Sequence, residues 1–163
     1  MYLFYHKTSI DNLITILDNM KIEPNSLTNN KMYSGDEIKE YSFFNILSED
    51  IINTKNYKKF KDFYSAGLLL NSNIINNESY FNLKWIGYIN ENSIKIEDDL
   101  FHLNNINNIL CKNLQKETLP FPMTHEIMIK DVINLKNSII KLIIPKNEKH
   151  KFSKYNLDTI FID

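Results

Sequence analysis

A chain of 163 residues and 19.3 kDa is long enough for one domain that buries roughly two-thirds of the surface its unfolded form exposes. With 43% hydrophobic and 24% charged residues, the composition excludes disordered, collagenous and membrane-embedded classes. Nineteen basic against twenty acidic side chains leave a net charge of −1, so there is no bulk electrostatic pull towards nucleic acid or anionic lipid.

In chain order, Tyr2 to His6 reads as a short buried strand. Thr8-x-x-Asp11 is then a capping box for a helix with Ile10, Leu13, Ile14, Leu17 and Met20 on one stripe. Ile22-Glu23-Pro24 is extended, because Pro24 disfavours a helical residue before it. Glu40 to Leu47 reads as a strand and Asp50 to Asp62 as a solvated, Lys-rich amphipathic helix. Strands are expected over Phe63 to Asn71, Lys84 to Ile89 and Ser93 to Glu97, and a helix over Asp99 to Leu114. His125 to Lys130 and Ser138 to Ile144 form two strands joined by a bend, Pro145 stops the second, and Asp158 to Asp163 adds an edge strand. The sum is one α+β domain spanning 1–163, with many short strands and few helices.

All nineteen basic residues are Lys and none is Arg, beside 25 Ile and 24 Asn. This skew fits AT-rich coding, as in large DNA viruses, low-GC bacteria and some protists. It also has a chemical consequence, because every planar, bidentate fork for phosphate or carboxylate is missing. Phosphate contacts fall to Lys ammonium, hydroxyls, amides or backbone N–H groups. Cys111 is the single cysteine, which excludes an intramolecular disulfide and suits a reducing compartment. No stretch approaches the ~18 to 20 apolar residues of a membrane span, and Met1 to Asn19 lacks the layout of a signal peptide. A cytoplasmic protein with no membrane partner is expected. Gly35, Gly67 and Gly87 are the only glycines, so P-loop and Rossmann phosphate loops are excluded.

Three segments could carry chemistry. Tyr5-His6-Lys7-Thr8-Ser9 puts a titratable His at a strand end and hydroxyls at a helix start, where free N–H groups can hold a phosphate or carboxamide; a packed or surface histidine is the plainer alternative. In Thr124-His125-Glu126-Ile127-Met128-Ile129-Lys130, Glu126 lies inside an apolar strand. It faces either a cleft, where desolvation perturbs it, or water from an edge strand. Tyr33, Tyr41, Phe43, Phe44, Tyr57, Phe63 and Tyr64 are mostly core, with one or two available to stack on a planar ligand. His125-Glu126 is not His-Glu-x-x-His, and His6, His102, His125 and His150 show no metal-ligand spacing, so no metal is expected. Cys111 sits among Ile109, Leu110 and Leu114, as a buried structural thiol does.

Together these segments resemble the ADP-ribosyltransferase superfamily, in its diphtheria-toxin and poly(ADP-ribose) polymerase branch with the His-Tyr-Glu signature. Leu3–Pro24 is similar to the opening block of that branch: strand, His, small residue, Ser/Thr, helix, extended segment ending in Pro. His125–Ile144 is similar to its closing block, with Glu at a strand start, an Asn/Leu/Lys bend and a second hydrophobic strand. Glu40-Tyr41-Ser42-Phe43-Phe44 supplies the Tyr-bearing strand, with Tyr41 as the signature Tyr and Phe43 or Tyr33 as alternatives. The Arg-Ser-Glu branch, the RNA 2′-phosphotransferases and the DNA-targeting toxin branch resemble the same fold but lean on arginines, which this chain lacks.

The resemblance implies mainly antiparallel, split β-sheets around an NAD cleft, with a few flanking helices. It implies that His6 bonds an NAD ribose hydroxyl, that the Lys7 backbone holds the nicotinamide carboxamide, and that Thr8 or Ser9 assists. Lys7 stands where the branch has Gly, a departure that a backbone role tolerates. Tyr41, with Tyr64 or Tyr57 as a second aromatic, would stack on nicotinamide. Glu126 would accept the 2′-hydroxyl and favour the positive charge that develops as nicotinamide leaves. The implied activity is mono-ADP-ribosyl transfer from NAD to a protein or other macromolecule, as a viral or bacterial effector. NAD glycohydrolysis and a catalytically degenerate binding module of the same fold are the alternatives.

Overall fold

The computed structural model describes residues 2–24, 41–48, 66–75, 79–82, 93–95, 126–130 and 132–162. The expected helices over 50–62 and 99–114 and the strand over 84–89 lie outside these residues, as do Tyr33, Tyr57, Tyr64 and Cys111. The chain divides into two compact units, 1–22 with 46–74 and 133–163, and 23–45 with 75–132. Both are discontinuous, so no single cut in the sequence separates them.

In the first unit, β1 (Tyr2–Lys7), β4 (Gly67–Leu70), β9 (Ile139–Pro145) and β10 (Thr159–Ile162) lie in the order β10-β9-β4-β1. The β1/β4 and β4/β9 pairs are antiparallel and β9/β10 is parallel. Strand β4 is flanked on both sides, and Leu68, Leu69 and Leu70 are accordingly buried. One face of this sheet packs Leu3, Tyr5, Leu69, Ile143 and Ile162 together. The short β2 (Lys21–Ile22) and β8 (Ile133–Asn134) form a separate antiparallel pair. Beyond β9 come a 3-10 turn at Lys146–Glu148, the single-turn α2 (Lys149–Phe152) and a second 3-10 turn at Ser153–Tyr155, none of which the sequence reading anticipated.

Helix α1 (Ile10–Asn19) starts one residue later than the expected box on Thr8. The N-cap is Ser9, whose Oγ accepts the Asn12 backbone N–H at 3.2 Å, while Thr8 Oγ1 accepts from Asn12 Nδ2 at 2.6 Å. Leu13, Ile16 and Leu17 form the buried stripe. Met20, expected on that stripe, is instead the left-handed C-cap at φ 52° and is 42% exposed. A non-glycine residue there is strained by roughly 1–2 kcal/mol, partly offset when glycine adds entropy to the unfolded chain. Met20→Gly therefore raises stability by about 0.5–1 kcal/mol, read as a higher urea midpoint at unchanged slope.

With so few glycines in the chain, Asn takes the other left-handed positions among the described residues, Asn137 at φ 62° and Asn156 at φ 48°. These are turn sites where a short polar side chain tolerates positive φ. Asn71 closes a further turn, accepting the Asn73 N–H through Oδ1 at 2.9 Å and donating from Nδ2 to the Asn137 carbonyl at 3.0 Å.

The C-terminal turn is tied to α1. Tyr155 Oη donates to Asp18 Oδ1 at 2.8 Å and Lys154 Nζ to the same oxygen at 2.8 Å. The Lys154 ammonium and the Tyr155 hydroxyl together hold the Asp18 carboxyl below its ordinary range, and Lys141 does the same to Asp158. A depressed carboxylate contributes stability that is present above its unfolded value, near 3.8, and lost as pH falls through the lower folded value. Both groups are at the surface, so the contribution is small. Asp18→Asn combined with Asp158→Asn flattens the stability profile below about pH 4 and leaves its shape above about pH 6 unchanged, as measured by denaturant titration across pH.

The second unit holds β3 (Tyr41–Ser48, of which residues 41–45 belong here), β5 (Ser79–Asn82), β6 (Ser93–Lys95) and β7 (Glu126–Lys130). They lie in the order β3-β7-β5-β6, every neighbouring pair antiparallel. Among the described residues the architecture is thus α+β, mainly antiparallel with few helices, as the sequence implies. Of its strands, β5 and β8 were not anticipated: both are short, and β5 has only two adjacent aromatics between polar ends, without a β-branched run.

Candidate functional site

In the first unit, His6 is half-buried near the end of β1, paired with Leu68. Lys7 is exposed and paired with Gly67. The chain leaves the sheet at Thr8, whose N–H donates to the Ala66 carbonyl at 2.9 Å, and enters α1 at Ser9. The hydroxyls of Thr8 and Ser9 both accept from Asn12, which leaves their O–H groups as donors. Gly67 is what allows the close approach of β1 and β4. A Cβ there would meet the His6 carbonyl oxygen and lie 2.5 Å from Tyr5 Cε2.

In the second unit, Glu126 opens β7, which β3 and β5 flank on either side. This decides one question that the sequence left open, because Glu126 is not on an edge strand. Ile127, Met128 and Ile129 are all fully buried, so both faces of β7 are covered just beyond it. Directly opposed residues of an antiparallel pair share a face. Glu126 is opposed by Asn45 on β3 and by Asn82 on β5, and Asn82 in turn by Ser93 on β6. One end of this sheet therefore carries a transverse row of four polar residues, Asn45, Glu126, Asn82 and Ser93. The next row on the same face is Phe43, Met128, Tyr80 and Lys95, and the third holds Tyr41 opposite Lys130.

Tyr41 and Glu126 thus stand on one face, separated by four residue steps of the β3/β7 ladder, or roughly 13 Å at strand rise. Tyr41 is buried, whereas Phe43, one row from Glu126, is half-buried. Tyr64 lies outside the described residues. Sequence reasoning missed Asn45, Asn82 and Ser93 altogether, and no local signal marks them, since only long-range register brings them beside Glu126. Among the described residues no group of three His, Cys, Asp or Glu side chains could hold a metal ion, and no helix is long and apolar enough to cross a membrane.

Two solved structures share this fold: Thermus sp. 2.9 DarT in complex with NAD+, at TM-score 0.59, and the same protein in complex with carba-NAD+, at TM-score 0.57. Each is 13% identical and the match covers 99% of this chain, with 94% and 95% of the DarT chain respectively. No protein-family model matches the chain, and no curated protein is significantly similar to it in sequence. The likeness is one of fold alone and does not single out the His-Tyr-Glu branch.

Proposed function

We propose that this chain is an NAD-dependent mono-ADP-ribosyltransferase of the His-Tyr-Glu type, acting on a macromolecular acceptor as a viral or bacterial effector in the cytoplasm of its own or a host cell. The observation that carries the reading is the place of Glu126. It opens an interior strand, where Asn45 and Asn82 oppose it on the two flanking strands and fully buried Ile127, Met128 and Ile129 follow, in a fold shared with a protein seen holding NAD+.

In this reading the Glu126 carboxylate accepts the 2′-hydroxyl of the nicotinamide ribose. As the glycosidic C–N bond breaks, nicotinamide leaves with the bonding pair and positive charge develops at the anomeric carbon, where a nearby fixed carboxylate lowers the barrier. The acceptor nucleophile forms the new bond to that carbon and releases its proton. His6 binds a ribose hydroxyl and the Lys7 backbone holds the carboxamide. Thr8 and Ser9 lend their O–H groups, and Tyr41, with Phe43 between it and Glu126, supplies aromatic surface. With no Arg in the chain, the pyrophosphate is held by Lys, hydroxyl or backbone N–H donors.

The test is incubation of the purified protein with NAD labelled in its adenylate, in cell lysate, beside Glu126→Gln. Label on a macromolecule with the wild type and none with the variant supports transfer. Nicotinamide release without labelled acceptor converts the reading to NAD glycohydrolysis. NAD binding without either would make the chain a non-catalytic module of the fold.

A further inference from the structure

Asn12 makes two separate contacts at the start of α1. Its backbone N–H caps the helix by donating to Ser9 Oγ at 3.2 Å, while its carboxamide reaches back and donates from Nδ2 to Thr8 Oγ1 at 2.6 Å. The cap does not need the carboxamide, and the proposed transfer step gives that group no role. We infer that Asn12 is a positioning residue that sets the Thr8 hydroxyl as a hydrogen-bond donor to NAD. The inference deepens the proposed transferase reading and rests on it for the identity of the ligand.

A threonine hydroxyl has one proton and two lone pairs, and an amide nitrogen accepts nothing in return. With one lone pair of Thr8 taken by the Asn12 amide, the Thr8 proton points away from Asn12 and is available to another acceptor. Thr8 is held in place as well. It is half-buried, its N–H donates to the Ala66 carbonyl at 2.9 Å, and the short Oγ1 contact with Asn12 fixes its side chain in one rotamer. Such a donor has little freedom left to lose on binding. NAD presents acceptor oxygens in its pyrophosphate and its carboxamide carbonyl, and a chain without Arg must meet them with Lys, hydroxyl or backbone donors. The polarity of one hydroxyl therefore matters more here than beside a guanidinium.

The test uses Asn12→Asp, which keeps the size of the side chain and reverses the bond. A carboxylate only accepts, so Thr8 donates to position 12 instead of to NAD. The helix cap survives because it uses the backbone N–H, and an acidic residue in the first turn suits the helix dipole. Thr8→Val removes the hydroxyl and keeps the branched shape. The double variant isolates the path through Thr8, since a negative charge that acted on NAD directly would weaken binding in either background. Asn12→Ala removes the bond without reversing it and guards against a misfolded Asp variant.

Asn12→Asp is expected to lower NAD affinity roughly three- to tenfold by calorimetry, the scale of one hydrogen bond, with its urea midpoint at or above the wild-type value. Thr8→Val lowers affinity by a similar factor, Asn12→Ala by less, and adding Asn12→Asp to Thr8→Val changes it by less than about twofold. In nicotinamide release, KM for NAD rises in Asn12→Asp by the same factor and kcat changes by less than about twofold. In the NAD-free protein, the Asn12 side-chain amide resonances, identified in 15N–1H NMR spectra by their loss in Asn12→Asp, move on Thr8→Val.

Wild-type NAD affinity in Asn12→Asp overturns the inference. So does an equal loss from Asn12→Asp with and without the Thr8 hydroxyl, or an Asn12 amide that Thr8→Val leaves unmoved. The NMR measurement needs no NAD, so the two readings fail separately. Cleavage of NAD by Asn12→Asp with wild-type KM overturns the role of Asn12 alone. An Asn12 amide that responds to Thr8→Val in a protein that neither binds nor cleaves NAD overturns the transferase reading and, with it, NAD as the ligand of Thr8.

Discussion

Glu126→Gln lowers the rate of nicotinamide release from NAD by about 10²–10³-fold, the usual cost of removing one group aimed at charge that develops in a transition state. The substitution keeps the size and shape of the side chain at the first position of β7 and removes only its charge. Because β7 is an interior strand with Ile127, Met128 and Ile129 fully buried beyond it, the fold does not depend on that charge, and the thermal midpoint stays at the wild-type value. NAD binding changes little, since Gln can still accept the ribose hydroxyl through its amide oxygen. The loss therefore falls on kcat rather than KM, as expected for an interaction that strengthens only as nicotinamide departs. Rates from steady-state release assays, with binding by calorimetry on the same samples, separate the two.

Gly67→Ala destabilises the protein by about 3 kcal/mol, at the upper end of what overpacking a core methyl costs. Gly67 is buried and pairs with Lys7, beside the Tyr5 ring. A Cβ at Gly67 would lie 2.5 Å from Tyr5 Cε2 and 2.9 Å from Cζ, and would also press on the His6 carbonyl. Neither neighbour can yield cheaply. The Tyr5 ring is locked in the cluster of Leu3, Leu69, Ile143 and Ile162, with its hydroxyl 3.5 Å from the Ala66 carbonyl. The His6 carbonyl is backbone in the β1/β4 ladder. Relief requires β1 to move off β4 at His6 and Lys7, so the same variant should lose NAD affinity even where it remains folded. Denaturant unfolding gives the first effect and calorimetry the second; a variant as stable as wild type would contradict the packing described.

Much of the scaffold is legible in residue order. The aromatic run at Tyr2–Lys7 and the apolar runs at Tyr41–Ser48, Glu126–Lys130, Ile139–Pro145 and Thr159–Ile162 form strands close to where their composition places them, because each buries at least one face. The Asn134-Leu135-Lys136 bend is equally legible, with the Lys136 N–H donating to Asn134 Oδ1 at 2.9 Å. Errors arise where two local solutions compete. Thr8 and Ser9 are both competent caps, and only the exit of β1, fixed by the Thr8 N–H bond to Ala66, selects Ser9. Met20 fits the apolar stripe by spacing, yet the chain must turn into β2 there, so it becomes the left-handed cap.

The site is less legible than the scaffold. Glu126 is conspicuous as a carboxylate among Ile and Met, but its neighbours Asn45 and Asn82 come from distant segments and look like any of the 24 Asn. Strand register is a long-range property of the folded sheet, and a one-residue slip would have replaced both Asn partners. The lack of Arg, visible at once, keeps its value as a constraint on how the chain can hold a pyrophosphate.

If Glu126 meets the nicotinamide ribose of NAD, the contact can be seen directly in a crystal structure of the Glu126→Gln protein, which binds NAD without consuming it. The expected result is the substituted side chain at about 2.6–3.2 Å from the ribose 2′-hydroxyl, with the β7 end of the polar row facing the glycosidic bond. NAD bound with its nicotinamide ribose away from position 126 would contradict the role assigned to Glu126.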